Sequence, residues 1–161
     1  MSSPDTGISD KSILRAADIR GVAGLTLSAP TAEAIGRAFG SVVLRKGLRK
    51  IFVGGDGRLS TPELSAALIS GLTASGADVV NIGLCPTPML YFAVFATPET
   101  AGVMVTASHN SKEYNGFKML IDGAPFCGAD IDALGRMIDA EDFESGAGSV
   151  RREGFLTRYI D

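Results

Sequence analysis

Between residues 51 and 105 the chain alternates short apolar runs with segments of helical period, and nothing else in it restricts the fold as much. The runs are 51–53, 78–82 and 101–105. Between the first two, Leu64, Ala67, Leu68, Gly71 and Leu72 fall on one helical face that ends at Gly76; between the last two, Pro86 and Pro88 open an apolar helix over roughly 89–96. Strands separated by helices pair in parallel through right-handed crossovers. A further strand at 117–121 follows after a loop of only about ten residues, too short for a parallel crossover, so it pairs antiparallel. The expected fold class is α/β, a layered α/β/α domain with a mixed, mainly parallel sheet.

The flanking segments fit this plan. Residues 13–19 read as a strand running into a loop at Gly21 and Gly24, and Pro30-Thr31 opens a helix with Ile35, Phe39, Val42 and Val43 on one face and a stop at Gly47. Ser60-Thr61-Pro62-Glu63 has capping-box spacing. Asp122-Gly123 is a tight-turn signal, Ile131, Leu134 and Ile138 mark a last helix, and 145–149 is a loop. The expected organisation is a flexible tail over 1–11, one domain over 12–150, and over 151–161 the start of a connection to a second domain that is missing.

Composition narrows the partners. A net charge of -3 gives no basis for nucleic acid, and no apolar run approaches the roughly 20 residues of a membrane helix. The polar first residues lack a signal-peptide core, so the chain reads as cytoplasmic. Cys85 and Cys127 are too few and too far apart for a zinc site and read as free, partly buried thiols.

Most of the polar chemistry lies in 106–118, T-A-S-H-N-S-K-E-Y-N-G-F-K, just past a strand's carboxyl end, where α/β sheets hold their ligands. Ser108 stands beside His109, the one histidine. A hydroxyl next to an imidazole suits nucleophilic or phosphoryl chemistry, and a polar loop capping a strand would look the same.

The whole stretch is more specific than its parts. It resembles the active-site loop of the α-D-phosphohexomutases (phosphomannomutase/phosphoglucomutase), where T-A-S-H-N-P is followed by a tyrosine, Asn-Gly and a lysine. R-A-A-D-I-R-G at 15–21, V-G-G-D-G-R-L-S-T-P-E-L at 53–64 and G-L-C-P-T-P-M at 83–89 resemble three further motifs of that family, in the family's order. The resemblance implies that Ser108 carries a phosphoryl group. Its phosphate would hold Mg²⁺. Arg20, Lys118 and His109 would act in catalysis, and Arg20, Asn110 and Lys118 would bind phosphate or substrate. Lys118 is placed to serve as base, and His109 as acid/base or phosphate-positioning group. Asp56 and Arg58 read as loop-structuring residues, and Arg20 has Asp18 within reach as an ion-pair partner.

The implied reaction interconverts hexose 6-phosphate and hexose 1-phosphate through a sugar bisphosphate. The family's Mg²⁺-binding D-G-D-x-D-R loop belongs to a second domain and is absent here, so the resemblance implies a first domain that is inactive without the others. Ala17 stands where the family has an aromatic residue. Ser111 replaces its proline, which leaves Asn110 less restricted and the loop looser. Two alternatives stay open: a phosphoglucosamine mutase, against which Thr106 and Tyr114-Asn115-Gly116-Phe117 speak, and a non-catalytic binding or assembly module of the same fold.

Overall fold

The computed structural model describes residues 7–160. Seven strands and five α-helices follow a short 3₁₀ turn at Lys11–Ile13: β1 (Ile19–Val22), α1 (Ala29–Arg45), β2 (Lys50–Gly55), α2 (Thr61–Ser75), β3 (Asp78–Leu84), α3 (Thr87–Ala96), β4 (Thr100–Val105), β5 (Tyr114–Ile121), β6 (Ala124–Pro125), α4 (Ala129–Asp139), β7 (Val150–Arg152) and α5 (Leu156–Ile160). The sheet order is β1-β5-β4-β2-β3-β7, with β6 paired to β5. β4, β2, β3 and β7 are parallel to one another, while β5 is antiparallel to β1, β4 and β6. The mixed α/β sheet is therefore as expected.

Topology dictates the layers. From β2 the chain moves one way along the sheet to β3, then back past β2 to β4. Right-handed crossovers in opposite directions must pass over opposite faces. Accordingly α1, α2 and α4 bury Ile35, Phe39, Leu68, Leu72 and Leu134 against Ile51, Val53, Val103 and Val105 on one face. On the other, Leu90, Ala93 and Val94 of α3 meet Phe52, Val80 and Met104. Alternate residues of β2 and β4 thus enter two different cores, which is why these strands read as unbroken apolar runs. Each large side chain so buried contributes about 1.5–3 kcal/mol.

Helices α1 and α2 nearly touch. A Cβ on Gly71 would lie 2.0 Å from the Glu33 carbonyl oxygen, and one on Gly36 would lie 2.3 Å from that of Leu68. The absence of side chains at these points is what lets the two backbones approach.

Several local expectations change. The first strand is Ile19–Val22, so Arg20 and Gly21 lie in the sheet rather than in the loop after it. No capping box forms: Ser60 is already in the right-handed helical region and its hydroxyl makes no cap bond. The tail does not extend to Lys11, because Ile8 is 5% exposed and Asp10 caps the 3₁₀ turn by accepting from Ser12 N; residues 1–6 lie outside the described residues. Within the stretch 151–161, Arg151 and Arg152 join the sheet and Phe155 packs on it. β7 pairs with β3, and Phe155, 1% exposed, stacks edge-on against Phe52 at 5.4 Å. Asp161 lies outside the described residues.

Candidate active site

β2 and β4 are neighbours and end level, Gly55 opposite Val105. The loops that leave their carboxyl ends, 56–60 and 106–113, therefore start side by side. The antiparallel pair β1–β5 brings a second set of side chains to the same edge. Arg20 lies opposite Gly116, and Lys118 opposite Met104. Residues opposite each other in an antiparallel ladder, and residues two apart, share a face. Asp18, Arg20 and Lys118 consequently meet: Asp18 Oδ2 accepts from Arg20 Nη2 and from Lys118 Nζ, each at 2.7 Å.

Asp18 is almost fully buried, whereas Arg20 and Lys118 keep 18% and 24% of their side-chain surface exposed. One carboxylate facing two cations leaves one positive charge uncompensated, turned toward solvent. Arg20 Nη1 also donates to Asn110 Oδ1 at 2.6 Å, tying this cluster to the Ser108 loop, and Arg20 Nε is buried with no partner among the described residues. Gly116 makes the closeness possible, since a Cβ there would lie 2.0 Å from the Ile19 carbonyl oxygen.

Ser108 is exposed and has φ of 54°, in the left-handed region that non-glycine residues rarely occupy. Both peptide groups flanking its Cα are held. Ser108 N donates to Thr106 Oγ1 at 3.0 Å, and the Thr106 hydroxyl donates to Asp56 Oδ2 at 2.7 Å. The Ser108 carbonyl accepts from Arg58 Nη2 at 2.9 Å. Arg58 further donates to the carbonyls of Asn110 (3.0 Å), Ser111 (2.8 Å) and Tyr114 (3.1 Å), and through Nε to Asp56 Oδ2 (3.1 Å). Asp56 also accepts from Thr61 Oγ1, and Asn115 Nδ2 donates to Thr61 Oγ1 and Ser60 Oγ.

The loop-structuring reading of Asp56 and Arg58 thus has a definite form. Ser111 does not leave the loop loose: its carbonyl is held by Arg58 and by Tyr114 N, and its hydroxyl bonds Glu113, holding that carboxyl below its ordinary value. His109 is exposed next to Ser108. A cavity of about 710 Å³ lies on the other side of the 56–60 loop, lined by Asp56, Arg58, Leu59, Ile69, Leu84 and Arg152 among others, and not by Ser108.

Residues 11–145 match the profile of phosphoglucomutase/phosphomannomutase, alpha/beta/alpha domain I. The chain belongs to this family. It is 48% identical over 149 residues to a phosphomannomutase/phosphoglucomutase of Pseudomonas aeruginosa, covering 92% of this chain and 32% of that protein. It is 42% identical to a phosphoglucomutase of Neisseria gonorrhoeae, covering 94% and 33%. A crystal structure of a phosphoglucomutase/phosphomannomutase family protein from Burkholderia thailandensis superimposes with a TM-score of 0.91 at 44% identity, over 94% of this chain and 35% of that one. The chain spans about a third of the length of these phosphohexomutases.

Among the described residues, no group of three or more His, Cys, Asp or Glu side chains could hold a metal ion. Asp18 and Asp56 are both committed to protein donors. These residues do not by themselves fit the Mg²⁺ that the resemblance implies. Sequence reasoning named Ser108, His109, Arg20, Asn110 and Lys118; the fold links Arg20 and Lys118 through Asp18 and Asn110 to Arg20 directly, while His109 stands exposed beside Ser108. It passed over Asp18 as the shared anchor and Thr106 as the link between Asp56 and Ser108. The D-x-R spacing at 18–20 was the available signal for the Asp18–Arg20 pair; the place of Lys118 beside it comes from the ladder register.

Proposed function

We propose that this chain is the phosphoserine-bearing domain of a phosphosugar mutase that interconverts hexose 6-phosphate and hexose 1-phosphate of glucose or mannose. Family membership supports the reaction class. The observation that supports the reading is the convergence of Arg20 and Lys118 on buried Asp18, tied to the strained Ser108 loop through Asn110; two cations facing one carboxylate suit a phosphate dianion as ligand.

In this reading the phosphoryl group on Ser108 passes to a hydroxyl of a bound hexose monophosphate. The bond from phosphorus to Ser108 Oγ breaks, a bond to the sugar oxygen forms, and a sugar bisphosphate results. Return of its other phosphoryl group to Ser108 completes the exchange. Little covalent help is needed in such a transfer; alignment and charge compensation dominate. Arg20 and Lys118 compensate charge on the transferring group, and Asn110 orients Arg20 toward the loop. The hydroxyl proton goes to His109 or to Lys118; Lys118 can take it only as a neutral amine, in which case Arg20 alone compensates the charge, and the variant that loses the acid limb of the rate–pH profile identifies which. A Mg²⁺ ion would need the phosphate oxygens on Ser108 together with ligands that the described residues do not provide, and would supply charge neutralisation there. The remaining domains of a longer protein supply those ligands and the sugar contacts. A cytoplasmic setting agrees with the two free thiols.

The test uses a full-length mutase with this chain as its first domain. Arg20→Ala and Lys118→Ala are each expected to lower turnover by about 100- to 1000-fold, as for loss of one charge-stabilising donor, while still folding and melting cooperatively, though at a lower temperature than the parent because Asp18 loses a partner. Near-parental turnover in either would remove that residue from the mechanism.

A further inference from the structure

We propose that Arg58 is a positioning residue for phosphoryl transfer, holding the backbone around Ser108 in the shape that aims its hydroxyl. The inference rests on the reading of Ser108 as phosphoryl carrier. A guanidinium has five N–H donors in a rigid plane. All five of Arg58 are taken by the protein: one by Asp56 Oδ2 and four by the carbonyls of Ser108, Asn110, Ser111 and Tyr114. None is left for a substrate phosphate, so Arg58 is not a phosphate clamp. Its four carbonyl acceptors fall within residues 108–114, in the loop before β5 and at the first residue of β5, 50 to 56 positions away in the chain.

Four carbonyl dipoles pointing at one centre repel one another unless a cation occupies it. The loop they form carries Ser108 at a positive φ that serine does not adopt readily. A closed circuit fixes that conformation. Asp56 holds Arg58, Arg58 holds the Ser108 carbonyl, the Ser108 amide donates to Thr106, and Thr106 donates to Asp56. The peptide planes before and after Ser108 are pinned to one carboxylate–guanidinium pair, so the direction of Cα–Cβ is set from outside the loop. In-line transfer depends on that direction. Arg58 lies in the β2–α2 loop, is not part of either apolar core, and keeps 13% of its side-chain surface exposed. A lysine would keep the charge, but its compact ammonium cannot span four carbonyls and a carboxylate.

The test compares Arg58→Lys and Arg58→Ala with their parent in a full-length mutase whose first domain is this chain. Intact mass after incubation with a hexose bisphosphate comes first; a parent that takes no phosphate on Ser108 refutes the carrier reading itself. With a phosphorylated parent, both variants are expected to melt cooperatively and to lose about 100-fold in kcat. KM for the sugar phosphate should stay within about threefold, because ground-state binding is not what Arg58 serves. Added guanidinium should restore part of the rate to Arg58→Ala and none to Arg58→Lys. Parental kcat in Arg58→Lys would overturn the inference. So would failure of both variants to fold, which would make Arg58 a structural residue only, or a rise in KM that accounts for the whole loss.

Discussion

Lys118 Nζ donates to Asp18 Oδ2 at 2.7 Å across 100 positions of sequence, onto a carboxylate that is almost wholly buried. The pair exists because β1 and β5 run antiparallel with Ile19 opposite Phe117, which brings the residue just before β1 beside Lys118. Replacing Asp18 by Asn removes the charge that both Lys118 and Arg20 face. Loss of one partner of a fully buried pair costs about 3–5 kcal/mol. Here both cations retain solvent contact, so a loss of about 1–3 kcal/mol is expected in chemical denaturation of the chain. An unchanged denaturation midpoint would mean that the cluster contributes nothing to folding.

The contact between α1 and α2 yields a paired prediction. Gly71→Ala forces a methyl to 2.0 Å from the Glu33 carbonyl oxygen, where backbone must move. A destabilisation of about 1–3 kcal/mol or more follows, as for other overpacked sites. Gly57→Ala meets nothing nearer than Leu84 Cδ1 at 4.0 Å and should stay within about 0.5 kcal/mol of the parent. Equal effects at the two positions would contradict the close approach of the helices.

Asp78 gives the acid side of stability. Ser149 N and then Arg49 Nε, donating to its carboxylate, hold it below the ordinary value of 3.8. A carboxyl whose folded value lies below its unfolded one stabilises fully above the unfolded value, and that contribution disappears as pH falls through the folded value. Between about pH 5 and pH 3 the parent should therefore lose more stability than Asp78→Asn, measured as urea midpoints. Parallel curves would show that these bonds do not persist in solution.

The two thiols should differ in reactivity. Cys127 is exposed, while Cys85 is buried and burial pushes its thiol up. A thiolate-directed reagent is expected to modify Cys127 alone in the folded chain and both after unfolding, because the reactive species is the accessible thiolate. Rapid native modification of Cys85 would contradict the packing of α3 on the sheet.

How much of this was readable in sequence depended on the kind of interaction. The alternation from 51 to 105 gave the parallel block, because both faces of those strands are buried and their apolar runs are unbroken. The short 106–116 loop gave the antiparallel turn-back. β7 was passed over: Val150, Arg151 and Arg152 are exposed and show neither alternation nor length. The capping box failed because the Ser60 hydroxyl serves Asn115, 55 positions away. The reach of Arg58 left no sequence mark, since four of its five acceptors are backbone carbonyls, which any residue carries. Ser108, Arg20 and Lys118 were legible only through motif resemblance, and Asp18 joins two of them by ladder register, which sequence does not display.

The phosphoryl-carrier assignment of Ser108 is tested most directly by the intact mass of a full-length mutase containing this chain, after incubation with a hexose bisphosphate. Peptide mapping should accompany it on the parent and on Ser108→Ala. The account predicts one phosphate on the parent, located at Ser108, and none on the variant, which should melt like the parent and lose its turnover. A serine that merely capped the strand–loop junction would instead cost about 1 kcal/mol on substitution and leave a working enzyme. A phosphate that survives Ser108→Ala, or an active variant, would contradict the account.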